Sequence, residues 1–220
     1  MYIQSLELAA GDLNSLTAFY IDKLGLTGDL ETGRLTIQAG STTLSFKEGA
    51  AAPYHFAFNI PENSLDAAAD WLESLNITLL PDPGNSRTHE FLSWNADAVY
   101  FLDPANNVVE LIARHELPNS LDPDGPFTVN KILCVSEIGI ATADVPAKAA
   151  ELATDYLLTE YREADETFAP MGDANGLCIV VPIGRPWYPT ANALAAELPL
   201  RLTFSAEDGS VFVYTSGSRG

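Results

Sequence analysis

Basic residues are scarce in this chain. Lysine and arginine together number 11 against 30 aspartates and glutamates, a formal net charge of -19 over 220 residues. So anionic a surface repels phosphate backbones and anionic lipid over a Debye length or more, which argues against nucleic acid and membrane surfaces as partners. The acids are scattered rather than gathered into a tail, the pattern of a solubilising surface. Long hydrophobic runs are also missing. None approaches the ~20 apolar residues of a membrane helix, and the start "MYIQSLELAAG" has neither the basic region nor the apolar run of an export signal. A cytoplasmic protein is the expectation. Only two cysteines occur, Cys134 and Cys178, each in an apolar run with no second cysteine or histidine at a zinc-binding spacing. Without export signals they are expected as buried free thiols.

What is present is a recurring scheme. "SLELAAGDLNSLTAFYIDKLGL" reads as an alternating strand, a turn with Asp12 placed to cap, and an amphipathic helix carrying Leu13, Leu16, Phe19, Tyr20 and Leu24 and ending at Gly25. A second copy begins at Tyr54, with a helix presenting Leu65, Ala68, Ala69 and Leu72. A third, "VSEIGIATADVPAKAAELATDYLL", has Asp144 as its cap and Pro146 in the first turn, where a missing N–H is harmless. Strand-length apolar runs follow each helix, so each unit is strand, helix, then about three strands. The segment between His115 and Lys131 concentrates Pro, Asp, Asn and Gly, the composition of a linker. The expected division is a complete two-unit domain over 1–115, a linker over 116–130 and a reduced domain of the same type over 131–220.

One charge stands out in "VYFLDPANNVVELIARH", where Glu110 sits inside an apolar strand. Facing inward and unpartnered, such a carboxylate is protonated or costs several kcal/mol. Alternation puts Val108, Glu110 and Ile112 on one face and Val109 and Leu111 on the other, and leaves open which face is inside.

Through "FYIDKLGL", "YHFAFNIP" and "FLDPANNVVEL" the units resemble the βαβββ modules of the vicinal oxygen chelate superfamily, the group of glyoxalase I, bleomycin and fosfomycin resistance proteins and extradiol ring-cleaving dioxygenases. The resemblance implies an α+β fold in which paired modules form a cupped mixed sheet, with a second, reduced domain of the same type. It implies a divalent metal held in the cup by residues of the first and last strands, with open positions for a substrate. Carried over by position, one ligand falls on His55 and another on Glu110. The first-module histidine of that pattern lies seven residues before the capping aspartate, where this chain has Ser5. Glu7, two residues on and on the same strand face, is one substitute with the reach; His89 and Asp97 are the others. The tyrosine ten residues before the glutamate is Tyr100, which the resemblance assigns to substrate contact. Asn106 replaces the glycine of the usual turn and tolerates its left-handed conformation. The acid-base histidine of ring cleavage is replaced by Phe91, Leu92 or Ser93. In the third unit the corresponding places are Glu137, seven before Asp144, and Ile179, so a second metal site is not expected. "GRPWYPT", with Arg185, Trp187 and Tyr188, is expected as a plug where a fourth unit was trimmed.

The implied function is that of a metal-dependent lyase or ring-cleaving dioxygenase acting on a small oxygenated molecule, with Fe, Mn, Zn or Ni as the metal. The alternative is a non-catalytic protein that sequesters a small molecule and needs no metal. A third expectation is a scaffold that pairs as a homodimer.

Overall fold

A computed structural model describes residues 1–49, 52–120 and 125–217. The first unit is β1 (Tyr2–Ala10), a short helix α1 (Leu13–Thr17) running on as a π-helical stretch (Ala18–Lys23), and the strands β2 (Thr27–Glu31), β3 (Arg34–Ala39) and β4 (Thr42–Glu48). Asp12 caps α1 by accepting from the Ser15 N–H at 3.1 Å. The chain leaves the helix at Gly25, whose φ of +83° suits only a residue without a Cβ.

The second unit is β5 (His55–Ile60), α2 (Leu65–Ser74), the short β6 (Leu79–Leu80) and β7 (His89–Phe91), then β8 (Ala96–Leu102) and β9 (Val108–Arg114). The third is β10 (Cys134–Thr142), α3 (Val145–Tyr156), β11 (Ala169–Asp173) and β12 (Gly176–Pro182). Asp144 caps α3 through the Ala147 N–H at 2.9 Å, with Pro146 in the first turn. A closing hairpin is formed by β13 (Leu200–Ser205) and β14 (Val211–Ser216).

Two mixed sheets result. The smaller runs β14-β13-β1-β4-β3-β2, and the larger runs β11-β12-β10-β5-β9-β8-β6 with β7 beside β8. The strand pairing therefore crosses the expected boundary. The second unit shares its sheet with the third through the antiparallel pair β5 and β10, while the first unit shares its sheet with the closing hairpin through β1 and β13. Of the expected linker, 121–124 lie outside the described residues; beyond them Phe127 is buried against the Trp71 ring at 5.1 Å.

The inner faces of the two sheets and the helices share one core, bridged by rings such as Phe46 and Phe56, 6.4 Å apart. Val99, Phe101, Val109 and Leu111 point into it. That settles the direction of Glu110: Val108, Glu110 and Ile112 face the opposite, cupped side of the large sheet, where Ala98, Tyr100 and Ala57 join them.

A single inserted residue sets the side chains of β10. Val135 opposes Phe58 and Glu137 opposes Ala57, leaving Ser136 as a bulge. Val135 and Ile138 consequently both face the core, three positions apart, and Glu137 turns into the cup. The same slip occurs in β1, where Ile3 opposes Phe204 and Ser5 opposes Thr203. Glu137 and Ser5 are thus equivalent positions of the two sheets.

Candidate metal centre

At the floor of the cup the ligand atoms of His55, Glu110 and Glu137 lie within 4.8 Å of one another, and all three residues are buried. Among the described residues this is the one group of three or more His, Cys, Asp or Glu side chains so placed. His55 Nδ1 lies 3.1 Å from the Val108 carbonyl. A carbonyl only accepts, so Nδ1 carries a proton and Nε2 is the nitrogen turned to the acids, the one that must be free of a proton to bind an ion. From Nε2 to Glu110 Oε2 is 3.6 Å and to Glu137 Oε2 3.7 Å. These separations are too long for hydrogen bonds. They are near the roughly 3 to 3.6 Å between two ligands that each lie about 2.1 Å from one ion. The donor set, one imidazole and two carboxylates with an open side, suits a divalent transition metal.

The electrostatics are mutual. Burial, followed by the charge of Glu137, pushes Glu110 up to about 8, against the pull of His55, Tyr100 and Arg114. Burial opposes a charged His55, yet its contact with Glu137 and the charges of Glu110 and Glu137 outweigh this, and His55 titrates above its ordinary range. Tyr100 stands directly across the hairpin from Glu110. Burial first, then the two carboxylates, hold its phenol well above 10 and therefore protonated as a donor. The turn joining the two strands has Asn106 at φ +61° and is tied by Asp103, which accepts from Ala105 N, Asn107 N, Asn107 Nδ2 and the Tyr20 hydroxyl.

Behind Glu137 lies Arg114, fully buried, its Nη2 against Glu137 Oε1. The guanidinium sits beside the rings of Trp94 and Tyr161, which pack edge to face at 5.5 Å, and lies 5.8 and 5.6 Å from their centroids. Its Nε and Nη1 have no hydrogen-bond partner among the described residues.

Above the floor is a cavity of about 230 Å³, walled by aromatic rings including Phe91, Trp94, Tyr100, Phe168 and Trp187. The loop expected as a plug closes one side of it. Trp187 is buried, donates from Nε1 to the Pro53 carbonyl at 3.1 Å and lies 5.5 Å from the His55 ring. Tyr188 sits at the rim, its hydroxyl 2.9 Å from His89 Nδ1. Because His89 Nε2 faces the Leu80 carbonyl at 2.8 Å, Nδ1 is the accepting nitrogen and Tyr188 the donor.

The structure brings His55, Tyr100 and Glu110 together and leaves the expected substitutes for Ser5 outside. Ser5 and Glu7 belong to the other sheet, where Glu7 pairs with Arg34 at 2.5 Å. Asp97 lies on the Val99 side of β8 and contacts His115 Nε2 at 2.9 Å. His89 is buried with its ring edge against Tyr100, 4.7 Å between centroids, both nitrogens engaged. It occupies the cup wall near the place where Phe91, Leu92 and Ser93 offered no imidazole. The third converging group is Glu137, expected to belong to no site. Its signal was present in the sequence as the position seven before a capping aspartate; what was lacking was the pairing of the second unit with the third. Arg114 carried no signal beyond being a charge in a strand. Cys178 is a buried free thiol, pushed up to about 12 by burial, while free Cys134 is only half-buried. Neither suits a nucleophile.

A cup built from the second unit and a shortened third one, β10–α3–β11–β12, with a histidine and acids on its central strands, has the fold of the vicinal oxygen chelate type. No family model matches the sequence, and no curated protein does. Among solved structures, a candidate dioxygenase from Bacillus subtilis is similar at 21% identity over 84% of this chain and 65% of that one, with a TM-score of 0.59. The chain thus spans a little under two thirds of that protein's length. Lactoylglutathione lyase from Agrobacterium tumefaciens is 25% identical over 50% of this chain and 90% of its own, with a TM-score of 0.43. The fosfomycin resistance protein FosX from Listeria monocytogenes, crystallised with Mn(II) and a dihydroxypropylphosphonic acid, is 21% identical over 52% and 90%, with a TM-score of 0.40. No helix among the described residues is long and apolar enough to cross a membrane.

Proposed function

We propose that the chain is a divalent-metal-dependent enzyme of the lyase or dioxygenase type, acting on a small oxygenated molecule, with His55, Glu110 and Glu137 as its metal ligands. The observation that carries this reading is the convergence of His55 Nε2 and two carboxylate oxygens at 3.6 and 3.7 Å, close to one another yet beyond hydrogen-bonding distance, at the bottom of a cavity. A divalent ion bound there supplies Lewis-acid polarisation of substrate oxygens. The chain's own residues do the rest. Val108 fixes the His55 tautomer; the Tyr100 phenol, held protonated, donates toward an oxygen above Glu110; the aromatic walls exclude water and orient a flat or compact molecule.

The test is metal content. Purified protein incubated with Fe²⁺, Mn²⁺, Zn²⁺ or Ni²⁺ and desalted should retain close to one equivalent of at least one of them, and His55→Ala and Glu137→Gln should retain far less. Retention of none by the wild type ends the proposal.

A second reading, sequestration of a small molecule without metal, is supported by the charges themselves. Protonated His55 and Arg114 balance Glu110 and Glu137, so the cluster closes without an ion. A ligand-induced rise in melting temperature that is indifferent to chelator favours this reading over the first.

A further inference from the structure

In a facial site of two histidines and one carboxylate the protein contributes a single negative charge. Here the third position holds Glu137, and a second carboxylate beside an ion in a buried cup changes both charge and coordination. We infer that Arg114 is the positioning residue that makes Glu137 act as a neutral, single-oxygen donor equivalent to a histidine; this rests on the reading of the cup as a metal centre. Three observations carry it. Arg114 Nη2 engages Glu137 Oε1, leaving only Oε2 turned toward His55 Nε2 at 3.7 Å. The guanidinium is fully buried beside the edge-to-face pair of Trp94 and Tyr161, and among the described residues Glu137 is the one carboxylate bonded to it, so Glu137 is its counter-charge. Finally, β9 supplies both Glu110 and Arg114 to the same face of the sheet, so the ligand and the compensating charge are set by one strand. The Glu137 and Arg114 pair sums to zero, and the protein's charge at the ion is that of Glu110 alone.

The two members should therefore be exchangeable together and not singly. Zn²⁺ and Ca²⁺ affinities are measured by chelator competition, and Mn²⁺ coordination by its electron paramagnetic resonance spectrum, for the wild type, Arg114→Met, Arg114→Lys, Glu137→His and the double variant Glu137→His with Arg114→Met. Arg114→Met frees the second Glu137 oxygen and adds a net negative charge, so Ca²⁺ affinity should rise about tenfold or more relative to Zn²⁺, with an altered Mn²⁺ spectrum; Arg114→Lys keeps the wild-type ratio. Glu137→His alone sets an uncompensated guanidinium beside the ion and should lose about 10- to 100-fold in Zn²⁺ affinity, most of which the double variant restores. A single variant that fails to fold where the double variant folds shows the same coupling and supports the inference. An Arg114→Met protein with the wild-type ion ratio, or a double variant no better than Glu137→His, overturns it. A wild type that takes up neither Zn²⁺ nor Mn²⁺ overturns the metal reading itself, a distinct result.

Discussion

Glu137 Oε2 lies 3.7 Å from His55 Nε2, although the two residues stand on strands of different sequence units. The site is therefore assembled by the antiparallel seam between β5 and β10, and its chemistry depends on that seam.

Metal uptake should expel a proton. Glu110 is pushed up to about 8 by burial and then by Glu137, and His55 is raised as well, so near pH 7 the coupled group holds a proton that a cation must displace. Affinity should tighten as pH rises toward 8. Titration calorimetry in two buffers of different ionisation enthalpy should give about one proton released per ion; identical heats in both buffers would count against this arrangement.

Asp103 should make the fold less stable as pH rises through mild acidity. Burial raises its carboxyl to about 6, and the hydrogen bonds from Asn107, Tyr20 and Ala105 offset this only in part. The unfolded carboxyl titrates near 3.9, so between about 4 and 6 the folded state binds more protons and stability falls with rising pH. The shift corresponds to a loss on the order of 2–3 kcal/mol. Urea denaturation across pH 4 to 7 should show this slope, flattened in Asp103→Asn whatever that variant's baseline; an unchanged slope refutes the assignment.

Gly139→Ala should disturb the cup wall. A Cβ there would stand 2.4 Å from Cη2 and 2.8 Å from Cζ2 of Trp187, whose indole is held by Pro53. A loss of about 1–3 kcal/mol, as for other overpacked sites, should accompany a red shift in tryptophan emission. Wild-type melting and emission would show that Trp187 yields freely.

Leu157→Gly should stabilise the protein. Leu157 ends α3 in the left-handed conformation, φ 57° and ψ 26°, and is 61% exposed, so it bears the strain of a Cβ while burying little. A gain of about 0.5–1 kcal/mol is expected by thermal or urea denaturation; a loss would mean that its remaining contacts outweigh the strain.

The units of the fold were legible in the sequence because they are local. The capping aspartates Asp12 and Asp144, the helix periodicity and the turn at Asn106 each act within a few residues. His55, Tyr100 and Glu110 were legible for a related reason: the register of one hairpin and its neighbouring strand follows from its turn and alternation. Glu137 was not placed in the site, because which unit shares a sheet with which is decided by long-range packing, and the choice of β10 as partner of β5 leaves no periodic trace. Arg114 was hidden for the same reason, since a buried guanidinium has meaning only beside its counter-charge.

The bulge at Ser136 has a converse in the other sheet. Were Ser136 instead paired with Ala57 in regular alternation, Glu137 would oppose Phe56 and turn into the core, leaving His55 and Glu110 with an empty third corner. Since β1 carries the matching slip before Ser5, the small sheet already aims that side chain as the large sheet aims Glu137. Its open face is a scaffold prepared by backbone alone, on which new ligands can be installed by changing side chains while the strands keep their register.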